Sequence, residues 1–282
     1  MDLLDILTDT TVDTLKLFPF LFITYLFLEY FERKMTDKTT ALVQKAGRFG
    51  PFIGSLCGAL PQCGFSVVAA NLFAARIISI GTLFAIFLST SDETLPILIS
   101  SAASPWLITQ IIGYKFICGV IFGYLIDYLW HQKHSTPNID IEQLCENEHC
   151  HCENDDNIWL PALHHSGSIT MFIFIITLIL NILFATVQPE NIINSMQTPI
   201  LSELLSGIFG LIPNCSASVV LTQLYLENCI NIGTLFSGSL VNGGVGLLVL
   251  FRVNKHLRQN LKILAVLYIC GVVGGLCGNL IF

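Results

Sequence analysis

Apolar residues in this chain come in long blocks, broken at a few places by compact polar clusters. Leu15 to Tyr30, Trp106 to Trp130, Ser168 to Val187 and Leu261 to Phe282 are blocks of this kind, close to the roughly 20 residues that a membrane-spanning helix needs. Two further blocks, 49–76 and 79–101, are apolar but punctuated. The first contains "LPQCGFSVV" at 60–68 and the second "STSDETLP" at 89–96. Segments that are apolar on every side belong to a membrane span or to a fully buried core. Composition bears on the choice, because the 282 residues are 53% hydrophobic and only 12% charged, about half the charged share of a soluble domain. A soluble chain with an all-buried core is thereby disfavoured. The first block is expected to be retained as a span, since Asp2, Asp5, Asp9 and Asp13 stand where a cleavable signal has its basic region.

Shifting the chain by 152 positions lays it on itself without a gap. Gly58 falls on Gly210, Pro61 on Pro213, Cys63 on Cys215 and Ser66 on Ser218. "IGTLF" at 80–84 returns at 232–236, "ICG" at 117–119 returns at 269–271, and Gly123 falls on Gly275. Gly, Pro, Cys and Ser in register across four segments point to an internal duplication. The expected organisation is a membrane half at 1–133, an acidic linker at 134–160 and a second membrane half at 161–282.

Basic residues give the expected orientation of the halves, because cytoplasmic loops are enriched in Lys and Arg. Arg33, Lys34, Lys38, Lys45 and Arg48 follow the first span, and Arg252, Lys255, Arg258 and Lys262 precede the last. Their counterparts, "QPENIINSMQ" at 188–197 and "SSAASPW" at 100–106, contain none. That is the pattern of two copies inserted in opposite senses, which places a substrate site at the repeat interface near the midplane. Opposite senses need an odd number of crossings per copy. The block 49–76 is therefore read as a re-entrant hairpin, starting beside Arg48 and ending beside Arg76. The expected fold is an all-α polytopic membrane protein of two inverted repeats. Each has three spanning helices plus a re-entrant or Pro-broken hairpin, about ten helices in all.

Re-entrant backbone survives at membrane depth only where protein or a polar cavity covers it. Around Pro61, helix-end amides and carbonyls lose their intrahelical partners, and Gln62, Cys63 and Ser66 bring further polar atoms. Copy two offers Pro213, Asn214, Cys215, Ser216 and Ser218. With inverted symmetry the two tips meet, and Cys63 and Cys215 face one cavity. The alternative is a Pro-kinked helix whose cysteine only packs.

In "STSDETLP", Asp92 and Glu93 lie inside a block that has to cross the bilayer, where a carboxylate costs about 2.5–3.5 kcal/mol and is by default a functional candidate. Thr90 and its neighbours suggest a broken helix, matched in copy two by Asn242, Gly243 and Gly244, and broken helices expose carbonyls that bind cations. An outer loop between two short helices is the alternative. Lys115 is the basic residue deep in a span, with Leu267 as its counterpart. It either pairs with Asp92 or Glu93 or reaches an interface with its ammonium group. Of the ten cysteines, Cys57, Cys118, Cys270 and Cys277 lie in apolar segments and read as small hydrophobes. Cys145, His149, Cys150, His151 and Cys152 cluster in the linker, either as a zinc-type site of irregular spacing or as part of a disordered acidic tether. Alternation places the linker in the cytoplasm.

The paired "PQCGFS" and "PNCSAS" turns, the "IGTLF" and "STSDETLP" runs and the His/Cys-rich linker together resemble the ten-helix heavy-metal exporters, bacterial proteins labelled arsenic efflux proteins or manganese transporters. The resemblance covers essentially the whole chain and implies transport of a metal or metalloid. Its motif positions are Pro61, Gln62, Cys63, Ser66, Asp92, Glu93, Pro213, Asn214, Cys215 and Ser218. The expected function is a secondary efflux permease of the bacterial inner membrane, not an enzyme and without a cofactor. No phosphate-binding Gly-Lys-Ser/Thr loop is present, so the proton gradient is the expected drive, carried by Asp92 or Glu93. Cys63, Cys215, Asp92 and Glu93 form the expected metal set. Thiolates favour arsenic(III), zinc or copper(I), and carboxylates and carbonyls favour manganese(II). A membrane thiol redox protein and a metal sensor acting through the linker are the competing classes. The expected partners are the transported ion and membrane lipid, with a homodimer left open and nucleic acid excluded.

Overall fold

The computed structural model describes residues 47–60, 64–91, 94–130, 159–186 and 200–282, with scattered positions between 7 and 26. Regular structure among them is helical. A 3-10 turn at Gly47–Phe49 leads into α1 (Gly50–Gly58), followed by α2 (Gly64–Ala74), α3 (Ile80–Ser89), α4 (Thr94–Ser100) and α5 (Pro105–Leu129). After the linker come α6 (Trp159–Thr186), α7 (Leu201–Gly210), α8 (Cys215–Leu226), α9 (Ile232–Val241), α10 (Val245–Val253) and α11 (Leu257–Ile281). Among the described residues five runs are long and apolar enough to cross a bilayer: Ile80–Ser100, Pro105–Leu129, Ala162–Ile179, Ile232–Val253 and Leu257–Ile281. That is the architecture of a polytopic membrane protein. The expected span from Leu15 to Tyr30 lies largely outside the described residues.

Local chemistry sets the helix ends, and it does so alike in both halves. Ser79 opens α3 by accepting from Thr82 N at 3.1 Å, and Asn231 opens α9 by accepting from Thr234 N at 2.7 Å. Each replaces an intrahelical partner that a first-turn amide lacks. α1 and α7 end at Gly58 and Gly210, α3 and α9 begin at Ile80 and Ile232, and α5 and α11 run over 105–129 and 257–281, always 152 apart. The last helix begins at Leu257, ahead of the Leu261 expected from hydropathy, and takes in Arg258 and Lys262. Basic side chains at a helix end reach water while their stems stay on the helix.

Packing repeats too. In the first half α1, α3 and α5 pack on one another, as α7, α9 and α11 do in the second. Across the halves, α2 lies on α10 and α4 on α8, while α3 meets α9. Exchanging the halves leaves this set of contacts unchanged. α3 is buried along its whole length, and so is α9 from Gly233 onward. Ile117, Ile121 and Tyr128 on α5 and Leu261, Ile269 and Leu280 on α11 face outward, as lipid permits.

Close helix approach depends on small residues, the usual device where lipid removes the hydrophobic drive for helices to associate. A Cβ on Gly123 would stand 2.9 Å from Gly81 O, and one on Gly275 would stand 2.7 Å from Gly233 O. A Cβ on Gly210 would stand 2.2 Å from Gly238 O, against backbone that cannot rotate away. Gly210→Ala and Gly275→Ala are therefore expected to destabilise by about 1–3 kcal/mol each, the usual penalty for overpacking. Gly113, with nothing within 4 Å of its added Cβ, is the control: Gly113→Ala is expected to leave the melting temperature in detergent unchanged or raise it.

Candidate functional site

Two helix breaks face each other at the centre of the bundle. The first lies between α3 and α4, where Thr90 leaves the helix at φ −56°, ψ 127°. The second lies between α9 and α10, around Asn242, Gly243 and Gly244. Gly244 adopts φ 55°, ψ −147°, a conformation essentially confined to glycine. Asn242 holds this turn, its Oδ1 accepting from Gly244 N at 2.9 Å while its Nδ2 donates to Ser218 Oγ at 3.1 Å. The Gly243 amide donates to Val241 O at 2.8 Å, away from the Ser239 carbonyl that an unbroken helix would give it.

Each break packs against the hairpin of the other half. Ser66, in the first turn of α2, is fully buried against Gly246, whose added Cβ would lie 2.6 Å from Ser66 O. Thr94, the first residue of α4, has its Oγ1 3.3 Å from the hydroxyl of Thr222 on α8, which also lies 2.7 Å from Ser218 O. Asn214 and Ser218 are each 3% exposed, and Pro213 is half-buried in the turn before α8. Thr90, 2% exposed, donates its hydroxyl to Ile86 O at 2.6 Å, so it is the Thr90 carbonyl that faces other groups.

Lys115 joins the two breaks. It lies on α5, is 1% exposed, and donates from Nζ to Thr90 O in the first half and to Ser239 O at 3.0 Å in the second. Burial rules out the reading in which its ammonium reaches an interface. Beside it Tyr114 donates to Gly274 O on α11 and packs its ring on Phe236, 4.3 Å between centroids.

Other expectations fall elsewhere. Pro61, Gln62, Cys63, Asp92, Glu93 and the linker group Cys145, His149, Cys150, His151 and Cys152 lie outside the described residues, and of Cys215 and Ser216 only the backbone is described. The expected metal set and the meeting of Cys63 with Cys215 therefore fall outside as well. Among the described residues no three His, Cys, Asp or Glu side chains form a group able to hold a metal. Cys118 and Cys270 are buried in the core cluster, in keeping with the small-hydrophobe reading.

Sequence reasoning passed over Glu203. It sits in the first turn of α7, fully buried, with Oε2 accepting from Ser202 Oγ at 3.0 Å and Oε1 without a partner. Thr234 Oγ1, on the neighbouring α9, is likewise buried without a partner. In the alignment of the halves Glu203 falls on Pro51. A signal was present, a single carboxylate between "PIL" and an apolar run.

Among the described residues the ligating atoms at the seam are oxygens: two freed carbonyls, an amide side chain and several hydroxyls, all buried. Such a set suits a cation and the protein's own ammonium already occupies part of it. The fold and this seam define a multi-pass helical membrane protein with its polar chemistry inside. Residues 2–200 match the model of a family described as "Putative, 10TM heavy-metal exporter". The chain belongs to that family of heavy-metal exporters. No curated protein and no solved structure matches it.

Removing the Asn242 side chain strips the Gly244 amide and the Ser218 hydroxyl of a partner at once. Asn242→Ala is expected to cost about 1–3 kcal/mol, the price of a buried polar group left unsatisfied. Ser218→Ala, which removes only one hydroxyl, is expected to cost less. Thermal unfolding of the purified variants in detergent measures both.

Proposed function

We propose that the chain is a secondary transporter that exports a heavy-metal or metalloid ion across the bacterial cytoplasmic membrane. In this reading its two halves are inverted repeats, and the ion passes at the seam where each hairpin tip meets the helix break of the other half. The observation that carries the reading is that crossed packing, with Ser66 on Gly246 and Thr222 on Thr94. Buried polar turns at a repeat interface are where such transporters bind substrate. The separation of basic loops supports opposite insertion of the halves, with 134–160 in the cytoplasm.

Cys63 and Cys215 sit at equivalent places in the two tips and supply soft donors for arsenic(III), zinc or copper(I). Asp92 or Glu93 carries the proton that drives export. A second reading, manganese(II), is favoured by the oxygen-bearing side chains of Asn242 and Ser218 at the seam, since a hard ion prefers oxygen. The linker cysteines and histidines serve regulation or delivery, not passage.

Elemental analysis of cells with and without the protein, across arsenite, zinc, copper and manganese, tests the substrate. Export is expected to fall at least tenfold in Cys63→Ser and Cys215→Ser if the ion is soft. Normal export in both, with loss in Asp92→Asn, assigns manganese and removes the cysteines from the site. Deleting 140–156 is expected to leave flux intact; loss of all function on that deletion turns the reading to a sensor.

A further inference from the structure

We propose that the Lys115 ammonium is a tethered cation, filling a carbonyl-lined cation site formed jointly by the helix breaks of both halves. The two acceptors have the same origin. Thr90 O belongs to the residue at which α3 ends. Ser239 O would accept from the Gly243 amide in a continuous helix, but that amide donates to Val241 O instead. Each break thus frees a carbonyl, one per half, and both point at a single Nζ. Carbonyls freed by an unwound membrane helix are the ligands with which secondary transporters hold a sodium ion. A primary ammonium has the same charge and three donors to direct at such oxygens.

Burial fits this role better than a packing role. Lys115 is among the largest fully buried side chains of the chain, and an amine there is costly unless hydrogen-bonded. The duplication supplies a comparison within the molecule. At the equivalent place on α11 stands Leu267, buried and apolar, so the fold needs no lysine to fill that volume. One cation serves the pair of breaks, and it is supplied by the chain.

A consequence follows for the coupling ion. With the site filled by the protein, no alkali ion is required to hold the halves together, which deepens the transport reading by removing sodium from it. The test reads folding, so it stands even if the exported ion is wrongly assigned.

Wild type, Lys115→Ala and Lys115→Met are purified in detergent and melted in choline, sodium, potassium and ethylammonium chloride at equal ionic strength. Wild type is expected to melt at one temperature in all four. Lys115→Ala is expected to melt several degrees lower in choline and to recover part of the loss in ethylammonium or an alkali salt, because a small cation re-enters the vacated site. Lys115→Met, which fills the space with an apolar chain, is expected to melt low in every salt. The proposal is overturned if Lys115→Ala melts like wild type in choline, if no cation raises its melting temperature, or if Lys115→Met melts like wild type. Should Lys115→Ala not be recovered folded, the wild-type arm decides: stabilisation of wild type by sodium over choline overturns the proposal, and identical melting supports it.

Discussion

A peptide group inside a bilayer has no water to turn to, so every carbonyl released by a helix break has to find a partner within the protein. The centre of this molecule is organised by that constraint. Two helices, α3 and α9, are buried along nearly all their length and both stop partway through their span. Of the groups set free, the Gly244 amide is taken by Asn242 Oδ1 and the Gly243 amide by Val241 O, while the carbonyls of Thr90 and Ser239 are taken by Lys115. Placing a lysine at that depth costs about 2.5–3.5 kcal/mol on insertion scales. Hydrogen bonds from a charged donor return about 1.5–3 kcal/mol each, so two of them are enough to balance it.

Close packing is the condition for this arrangement. Gly123 on Gly81 and Gly275 on Gly233 bring α5 and α11 within backbone contact of the broken helices. Without that approach a lysine on α5 would not span the gap to carbonyls on both α3 and α9. The halves resemble each other in these contacts and differ in their buried charge. The first half contributes Lys115 where the second has Leu267, and the second contributes Glu203 where the first has Pro51. The glycine seams, which set geometry, are alike in the two halves, while these ionisable positions differ.

The helical frame was largely legible from the chain. The offset between "IGTLF" runs places the start of α9 from that of α3, and the polar clusters at 89–96 and 241–246 mark both breaks. Hydropathy erred mainly at helix ends such as Leu257, because amphipathic Arg and Lys extend a helix past its apolar part. The site was legible only in outline. Asn242 and Ser218 are predictable as polar residues in apolar surroundings, but their mutual hydrogen bond depends on α8 folding back on α9. For Lys115 the sequence offered either a pairing with Asp92 or Glu93, which lie outside the described residues, or an ammonium that reaches an interface. The described acceptors are main-chain oxygens, which look the same at every position of a sequence. Glu203 escaped notice because its segment was read as one apolar hairpin arm, and a lone carboxylate at a helix start looks like a cap.

Sharing one ammonium between the halves has a mechanical consequence. Hydrogen bonds lose most of their strength over a lengthening of well under 1 Å and a modest change of angle. Thr90 O is carried by the same half as Lys115 and Ser239 O by the other, so sliding one half on the other stretches the bond to Ser239 O. A freed carbonyl left unpaired at this depth is costly. The seam therefore favours discrete arrangements over a continuum, as packed interfaces generally do. Here that preference arises from peptide carbonyls freed by two helix breaks and a lysine side chain that reaches acceptors in both halves.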